Sequence, residues 1–199
     1  MRKIRALTQE EKLILQRHAA WLADEAGGKR ANLSGADLYK ADLYKADLRR
    51  AILNGVDLRE ADLSEADLSE ANLRRADLRG ADLCGAALGR ADLREANLRK
   101  VELNGADLRE VDLYKASLYR VDLFGAKNIL AFGPIGSRLD ITYAVKYTDG
   151  IMIKCGCFWG DLEQWQAQCR ATHGDNSHAA AYAAAADFIR AYAAAYWQD

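Results

Sequence analysis

The stretch ADLYKADLYKADLRR, residues 36–50, repeats Ala, Asp and Leu every five residues. On an α-helix, a step of five residues turns the chain by about 500°, so successive leucines point roughly 140° apart. On a flat β-strand, an odd step sends successive leucines to opposite faces of the sheet. The period predicts neither element, so a different backbone must keep every leucine inside.

The same period runs without an insertion over residues 31–130. Ala or Val stands at every fifth position from Ala31 to Ala126, and Leu at every fifth position from Leu33 to Leu123. A chain that bends by about 90° after each repeat would close one coil in about twenty residues, and coils would stack at the ~4.8 Å spacing of paired strands. The pattern therefore predicts about five stacked coils with Ala and Leu inside, ending at the repeat AKNIL, which lacks the leucine.

The repeats ADLYK, ADLRR and ANLRR resemble the pentapeptide-repeat family, whose repeats follow Ala-(Asp/Asn)-Leu-x-x. The resemblance covers all of residues 31–130 and implies a mainly β fold, a right-handed quadrilateral β-helix or solenoid of about five turns. The flanking stretches HAAWLADEAGGKRANLSGADL and CGCFWGDLEQWQAQCRATHGDN also resemble segments found beside such arrays.

Residues 1–30 show the pattern of a capped helix. Thr8 and Glu11 fit the Thr-x-x-Glu capping box, apolar residues follow at helical spacing, and Gly27-Gly28 ends the run. Because a repeat array needs closed ends, we expect this helix to cap the N-terminal end of the array.

Residues 131–199 predict a small α+β domain. The sequence GPIGS at 133–137 is typical of a linker or turn, and two alternating segments around 148–150 predict a β-hairpin. Two helices should follow, over about 161–172 and 177–196. One stripe of the second helix, expected to pack on the hairpin, contains Tyr182, Ile189 and Tyr196.

Stacking the repeats by twenty places acidic side chains in one outward column on the most negative of the four faces. This acidic column contains Asp42, Asp62, Asp82, Glu102 and Asp122. Asp at this position can close a turn by hydrogen bonding to the backbone. The alternative is a stripe that imitates DNA, because fluoroquinolone-resistance members of the resembled family are understood to bind DNA gyrase that way. The expected ladder spacing of ~4.8 Å differs from the phosphate spacing of DNA.

The neighbouring face carries a column of arginines flanked by tyrosines. This arginine column contains Arg59, Arg79 and Arg99, between Tyr39 and Tyr119. Such arginines can be solvated side chains paired with nearby carboxylates, or part of a partner-binding surface. A nucleic-acid site would need a wider basic stripe with aromatic residues among it.

The cysteines and a histidine of the last domain form the one cluster whose composition resembles a chemical site. It consists of Cys155, Cys157, Cys169 and His173. Cys and His at such spacing can hold zinc, but a Cys-x-Cys pair is tighter than the usual Cys-x2-Cys, and small thiols also pack in cores. A Cys–His nucleophile pair is a further alternative, although no third orienting group is apparent.

Composition excludes several functions. The formal net charge is −1, and no window approaches the ~20 apolar residues of a membrane span. No phosphate-binding loop, nucleophile elbow or metalloprotease motif occurs, and no catalytic residue or cofactor is predicted. We expect a cytoplasmic, non-enzymatic scaffold that binds a protein partner of unknown identity, with DNA gyrase as the alternative partner, without direct contact to nucleic acid or membrane. The Ala/Tyr-rich helix leaves a homodimer open.

Overall fold

The computed structural model describes residues 4–135, 140–156 and 158–197. The chain divides into an N-terminal unit, Met1–Lys127, and a C-terminal unit, Asn128–Asp199. The N-terminal unit contains helix α1, Gln9–Leu22, and the repeats. The C-terminal unit contains β1 Ile129–Ile135, β2 Asp140–Tyr147, β3 Gly150–Cys155, β4 Phe158–Asp161, α2 Leu162–His173 and α3 Ser177–Tyr196.

Residues 31–127 form what we call the repeat stack. Parallel bridges join residues twenty positions apart, from Asn32↔Ile52 to Asp107↔Lys127. Backbone hydrogen bonds follow the same spacing, since the Leu58 N–H donates to the Asp77 carbonyl at 2.8 Å. Each coil therefore holds four five-residue repeats, as the period predicts.

The interior of the repeat stack is made of the periodic residues. The leucines at every fifth position from Leu48 to Leu98 are fully buried, and so are the Ala and Val residues between them. Fully burying one such leucine contributes roughly 1.5–3 kcal/mol of transfer free energy. In the last coil Val121 and Leu123 are only half-buried, so this packing weakens toward residue 127.

Each repeat ends in a tight corner. The Ala61 N–H donates to the Leu58 carbonyl at 3.1 Å, which closes a turn over the two residues between them. The last residue of each repeat has a positive φ, which glycine adopts without strain, as at Gly55 with φ of 65°. The Asp at the second position stabilises the next corner, because the Asp62 Oδ1 accepts the Ser64 N–H at 3.0 Å.

The segment before and within α1 contacts the first coil. The predicted capping box is confirmed: the Thr8 side chain accepts the Glu11 N–H, and the Glu11 side chain accepts the Thr8 N–H. Arg5 forms a parallel bridge with Ala41, so the chain ahead of the helix pairs with the coil edge. Its guanidinium also donates to both carboxylate oxygens of Glu11, at 2.8 and 2.9 Å.

His18 joins the buried side of α1 to the beginning of the repeats. Its side chain is completely buried and its ring stacks on Trp21, with centroids 5.5 Å apart. The His18 Nδ1 accepts the Ala31 N–H at 3.1 Å. A neutral imidazole is therefore required at this position.

The C-terminal unit contains a four-stranded antiparallel sheet in the order β1-β2-β3-β4. The predicted hairpin is confirmed as β2 and β3, in which Tyr147 pairs with Gly150. The predicted linker at 133–137 is wrong where it is described, because residues 133–135 belong to β1. Pro134 is tolerated there since β1 is an edge strand with a register shift between Phe132 and Ile135.

Two helices pack with this sheet around one core. The core cluster consists of Ala144, Ile153, Cys155, Leu162, Trp165, Cys169, Tyr182, Ala185, Ala186 and Ile189. Asp161 and Asn176 cap the two helices, close to the predicted bounds. The predicted stripe of α3 is correct for Tyr182 and Ile189 but wrong for Tyr196, whose side chain is 73% exposed. Among the described residues, no helix combines the length and the apolar composition that a membrane span requires.

Candidate functional site

The acidic column is aligned along the repeat stack. Consecutive members bridge one another, from Asp42↔Asp62 to Glu102↔Asp122. The side chains of Asp62, Asp82 and Glu102 are half-buried, whereas those at the two ends are exposed. The predicted alignment of these side chains is therefore present. Whether the carboxylates are available to a partner depends on their hydrogen bonds.

Most carboxylates of this column bond to the backbone of their own corner. The Asp42 Oδ1 accepts the Tyr44 N–H at 3.2 Å, and the Asp82 Oδ1 accepts the Cys84 N–H at 3.0 Å. Asp122 does the same with the Phe124 N–H at 3.1 Å. These contacts are those of Asp residues that stabilise turns.

Two members of the arginine column are paired with the Asp two residues before them. The Nε atom of Arg59 lies 2.8 Å from the Asp57 Oδ1, and that of Arg79 lies 2.8 Å from the Asp77 Oδ1. The hydrogen bonds from Arg59 lower the pKa of Asp57 below its ordinary value. Both arginines are thus paired with carboxylates of the stack, and Arg59 also lies 3.9 Å from the Asp77 carboxylate of the next coil.

The third member, Arg99, lies in different surroundings. The repeats at 96–100 and 116–120 carry Asn97 and Ser117 at the second position, where the repeats of Arg59 and Arg79 carry Asp57 and Asp77. The Arg99 and Arg120 guanidinium groups lie over the Tyr119 ring, 5.2 and 5.4 Å from its centroid. We call this exposed surface the basic patch, and it consists of Arg99, Lys100, Tyr119 and Arg120.

A group that the sequence analysis missed lies in the acidic column. Potential ligand atoms of Asp82, Cys84 and Glu102 lie within 4.8 Å of one another. Burial and the hydrogen bond to Asp82 raise the pKa of the Cys84 thiol to about 11. The thiol is therefore protonated near neutral pH, as a donor to Asp82 should be. Alignment of the sequence in steps of twenty residues could have found the group, because Cys84 lies two residues after Asp82 and Glu102 lies one coil further.

Of the predicted Cys/His cluster, three residues line one cavity: Cys155, Cys169 and His173. Cys157 lies outside the described residues. Within the described part of the chain, the one group that brings three potential metal ligands within 4.8 Å is the group around Cys84. Burial raises the pKa of the Cys169 thiol to about 11, which opposes the thiolate that a nucleophile requires.

Comparison with known families finds one match. The profile described as Pentapeptide repeats matches in 8 copies, over residues 29–55, 51–90 and 91–127. A comparison with curated proteins found no match.

Solved structures of repeat proteins are similar to this chain over part of its length. HetL, a pentapeptide repeat protein involved in heterocyst differentiation regulation from the cyanobacterium Nostoc sp. strain PCC 7120, is 36% identical over 49% of this chain and 55% of its own, with a TM-score of 0.38. The Nostoc protein alr5209 is 41% identical over 43% of this chain and 82% of its own, with a TM-score of 0.38. QnrB1, a plasmid-mediated fluoroquinolone resistance protein, is 23% identical over 48% of this chain and 59% of its own, with a TM-score of 0.24.

Proposed function

Because the chain belongs to the pentapeptide-repeat family through residues 29–127, we propose that it is a non-enzymatic scaffold whose repeat stack presents ordered side chains to a protein partner. Stacked repeats support this role, since they form extended binding surfaces. For the stack itself we propose the right-handed quadrilateral β-helix that the family implies. The twenty-residue pairing of the coils supports its four sides.

The observation that favours a partner surface is the basic patch. Across residues 4–135, Arg99, Lys100 and Arg120 form no ion pair with a carboxylate, whereas Arg50 and Arg90 bond Glu70 and Glu110 in the next coil at 2.9 and 2.6 Å. No carboxylate of residues 4–135 balances the positive charge of the patch, so this charge is available to another molecule.

The chemistry of the patch indicates an acidic protein segment. Guanidinium groups bind carboxylates in a two-pronged geometry, and Tyr119, 54% exposed, adds a ring surface beside them. Exposed ion pairs contribute only about 0.2–1 kcal/mol each. The cations should therefore set the choice of partner and the association rate more than the affinity.

The test is affinity capture with charge-reversed variants of the full chain. Arg99→Glu combined with Arg120→Glu should lose a partner that the parent retains. Lys12→Glu combined with Arg17→Glu makes the same charge change on the exposed side of α1 and should retain it. Equal capture by both variants would contradict the assignment of the patch, and cross-links from the partner should map to the coils around residues 99 and 120.

A DNA mimic that regulates gyrase is the alternative function. It depends on the acidic column, whose Asp42, Asp62, Asp82 and Asp122 carboxylates bond to backbone N–H groups of their corners. That use of the carboxylates favours a structural role. A gyrase supercoiling assay tests the alternative directly: inhibition or protection from quinolones at micromolar protein would favour mimicry over the scaffold.

The remaining expectations stay predictions. They are a cytoplasmic location, a zinc-binding or enzymatic C-terminal module, and a homodimer. Zinc analysis of purified protein addresses the module, and sedimentation addresses the homodimer. The raised pKa of Cys169 counts against the enzymatic form of the module.

A further inference from the structure

The C-terminal unit contains a cavity of about 310 Å³ among β3, β4, α2 and α3. Its lining residues are Cys155, Phe158, Trp165, Gln168, Cys169, Thr172, His173 and Tyr182. This volume lies at the lower end of the roughly 300–1,000 Å³ found for small-molecule sites. The space therefore suits a compact ligand.

Aromatic rings form the walls of this cavity. Trp165 meets Tyr182 edge to face with centroids 5.6 Å apart, and His173 stacks on Tyr182 with centroids 5.4 Å apart. Trp165 and Tyr182 are also fixed by the core, with 2% and 4% of their surfaces exposed. Trp165 and Tyr182 therefore hold the wall in place, whereas the half-buried rings of Phe158 and His173 offer open surface for stacked or edge-on contact with another ring.

The cavity carries no strong charge. None of the described residues that line it is Asp, Glu, Lys or Arg. The Cys155 thiol accepts a hydrogen bond from the Thr142 hydroxyl at 3.2 Å, and burial keeps the Cys169 thiol protonated. A charged ligand would lose its hydration without gaining an opposite charge, which is costly.

Polar side chains lie at one edge of the cavity on α2. Gln168 and Thr172 are exposed, and the Thr172 hydroxyl donates to the backbone carbonyl of Gln168 at 2.8 Å. The Gln168 amide donates to the Thr172 hydroxyl at 3.3 Å. These groups offer hydrogen bonds to one end of a ligand whose body lies among the rings.

We propose that this cavity is a binding site for a small, uncharged aromatic molecule that contacts the half-buried rings of Phe158 and His173. The site lies in the C-terminal unit and does not depend on the proposed partner surface of the repeat stack. It also assigns a role to Cys155, Cys169 and His173 as walls of a ligand site.

The test uses N-phenyl-1-naphthylamine, an uncharged aromatic probe that brightens in apolar sites, titrated into the full chain at pH 8. We expect saturable binding of one probe per chain, with energy transfer from tryptophan that Trp165→Phe reduces. The variant Thr172→Phe places a ring in the cavity and should weaken binding by at least about tenfold. Ala171→Phe adds the same ring at the neighbouring exposed position and should leave binding unchanged.

Two results would overturn the proposal: no saturable binding by the folded parent, or equal binding by Thr172→Phe and Ala171→Phe. A second measurement covers a Thr172→Phe variant that fails to fold. The probe should slow alkylation of Cys169 by N-ethylmaleimide, while Cys84 on the repeat stack reacts at an unchanged rate. Probe binding without protection of Cys169 would contradict the location, as would stoichiometric zinc in the purified protein that prevents probe binding.

Discussion

Leu53, Leu63 and Leu73 lie in equivalent surroundings in the repeat stack, whereas every core position of the C-terminal unit is different. The stack buries its leucines from Leu48 to Leu98 completely and repeats one kind of corner. The C-terminal unit packs aromatic, aliphatic and thiol side chains from three strands and two helices, and it leaves a cavity. In a regular stack the buried residues are nearly the same in every repeat, so only the outward side chains can differ and recognise a partner. In an irregularly packed unit the core itself can enclose a cavity that binds a ligand.

The largest expected effect is that of truncating a leucine in the middle of the stack. Leu73→Ala should lower the free energy of unfolding by about 2–5 kcal/mol, because neighbouring coils cannot collapse into the space. Leu73→Met should cost less than about 1.5 kcal/mol. Hydrogen exchange should locate the lost protection in the adjacent coils. If hydrogen-exchange protection were lost equally throughout the C-terminal unit, the contrast between the two units would be wrong.

The next effect is a dependence of the N-terminal unit on pH. Burial lowers the pKa of His18 in the folded protein, so the unfolded chain binds its proton more readily. Stability should be complete above the ordinary pKa of about 6.5 and should fall as the pH drops below it. The backbone of Arg49 and the charge of Asp47 favour protonation of His18, whereas the charges of Arg30 and Arg49 oppose it.

Urea unfolding between pH 8 and pH 5.5, followed by the fluorescence of Trp21 in a variant whose other three tryptophans are Phe, measures this effect. His18→Asn keeps an acceptor for the Ala31 N–H and should flatten the pH dependence. If the parent shows no loss of stability over this range, His18 does not join α1 to the repeats in the way described.

A smaller effect is expected in the acidic column. Asp62→Ala removes the acceptor of the Ser64 N–H and should cost about 0.5–1.5 kcal/mol. Asp62→Asn keeps an oxygen acceptor and should cost clearly less. Thermal melting of the two variants measures the difference. If both lost the same stability, the charge and not the turn would explain Asp62.

The smallest effect is expected between coils on the surface. Glu70→Gln breaks the ion pair with Arg50, whose side chains are 45% and 59% exposed. Exposed pairs contribute about 0–1 kcal/mol, so the melting temperature should hardly change. A loss as large as that of Leu73→Ala would mean that the ladder of charges, and not the leucines, holds the coils together.

The sequence predicts the stack well because each of its requirements is local. The five-residue period specifies which residues are buried, and Thr8 with Glu11 predicts the beginning of α1. Residues that vary between repeats are harder to interpret. Asn97 and Ser117 stand at positions where most repeats carry Asp, and their effect on the arginines becomes visible only when the coils are stacked. The structure divides the chain into two units after Lys127. The predicted partition into three domains, residues 1–30, 31–130 and 131–199, stays a prediction.

The C-terminal unit is predictable only in part because its contacts are not periodic. Local signals predict the hairpin and both helices. They miss β1, where a proline is tolerated only because the strand lies at the sheet edge, and β4, which follows a turn at Gly156 with φ of 57°. The cavity depends on side chains from four elements, so no local pattern indicates it.

We propose above all that the basic patch, and not the acidic column, binds the partner. This claim is tested most directly by comparing two variants against the captured partner in one binding assay. The first variant converts the acidic column to amides, with D42N, D62N, D82N, E102Q and D122N, and the second carries R99E and R120E. The account predicts that the amide variant retains the affinity of the parent and that the patch variant loses it. Loss with the amide variant and retention with the patch variant would contradict the account and favour an acidic mimic.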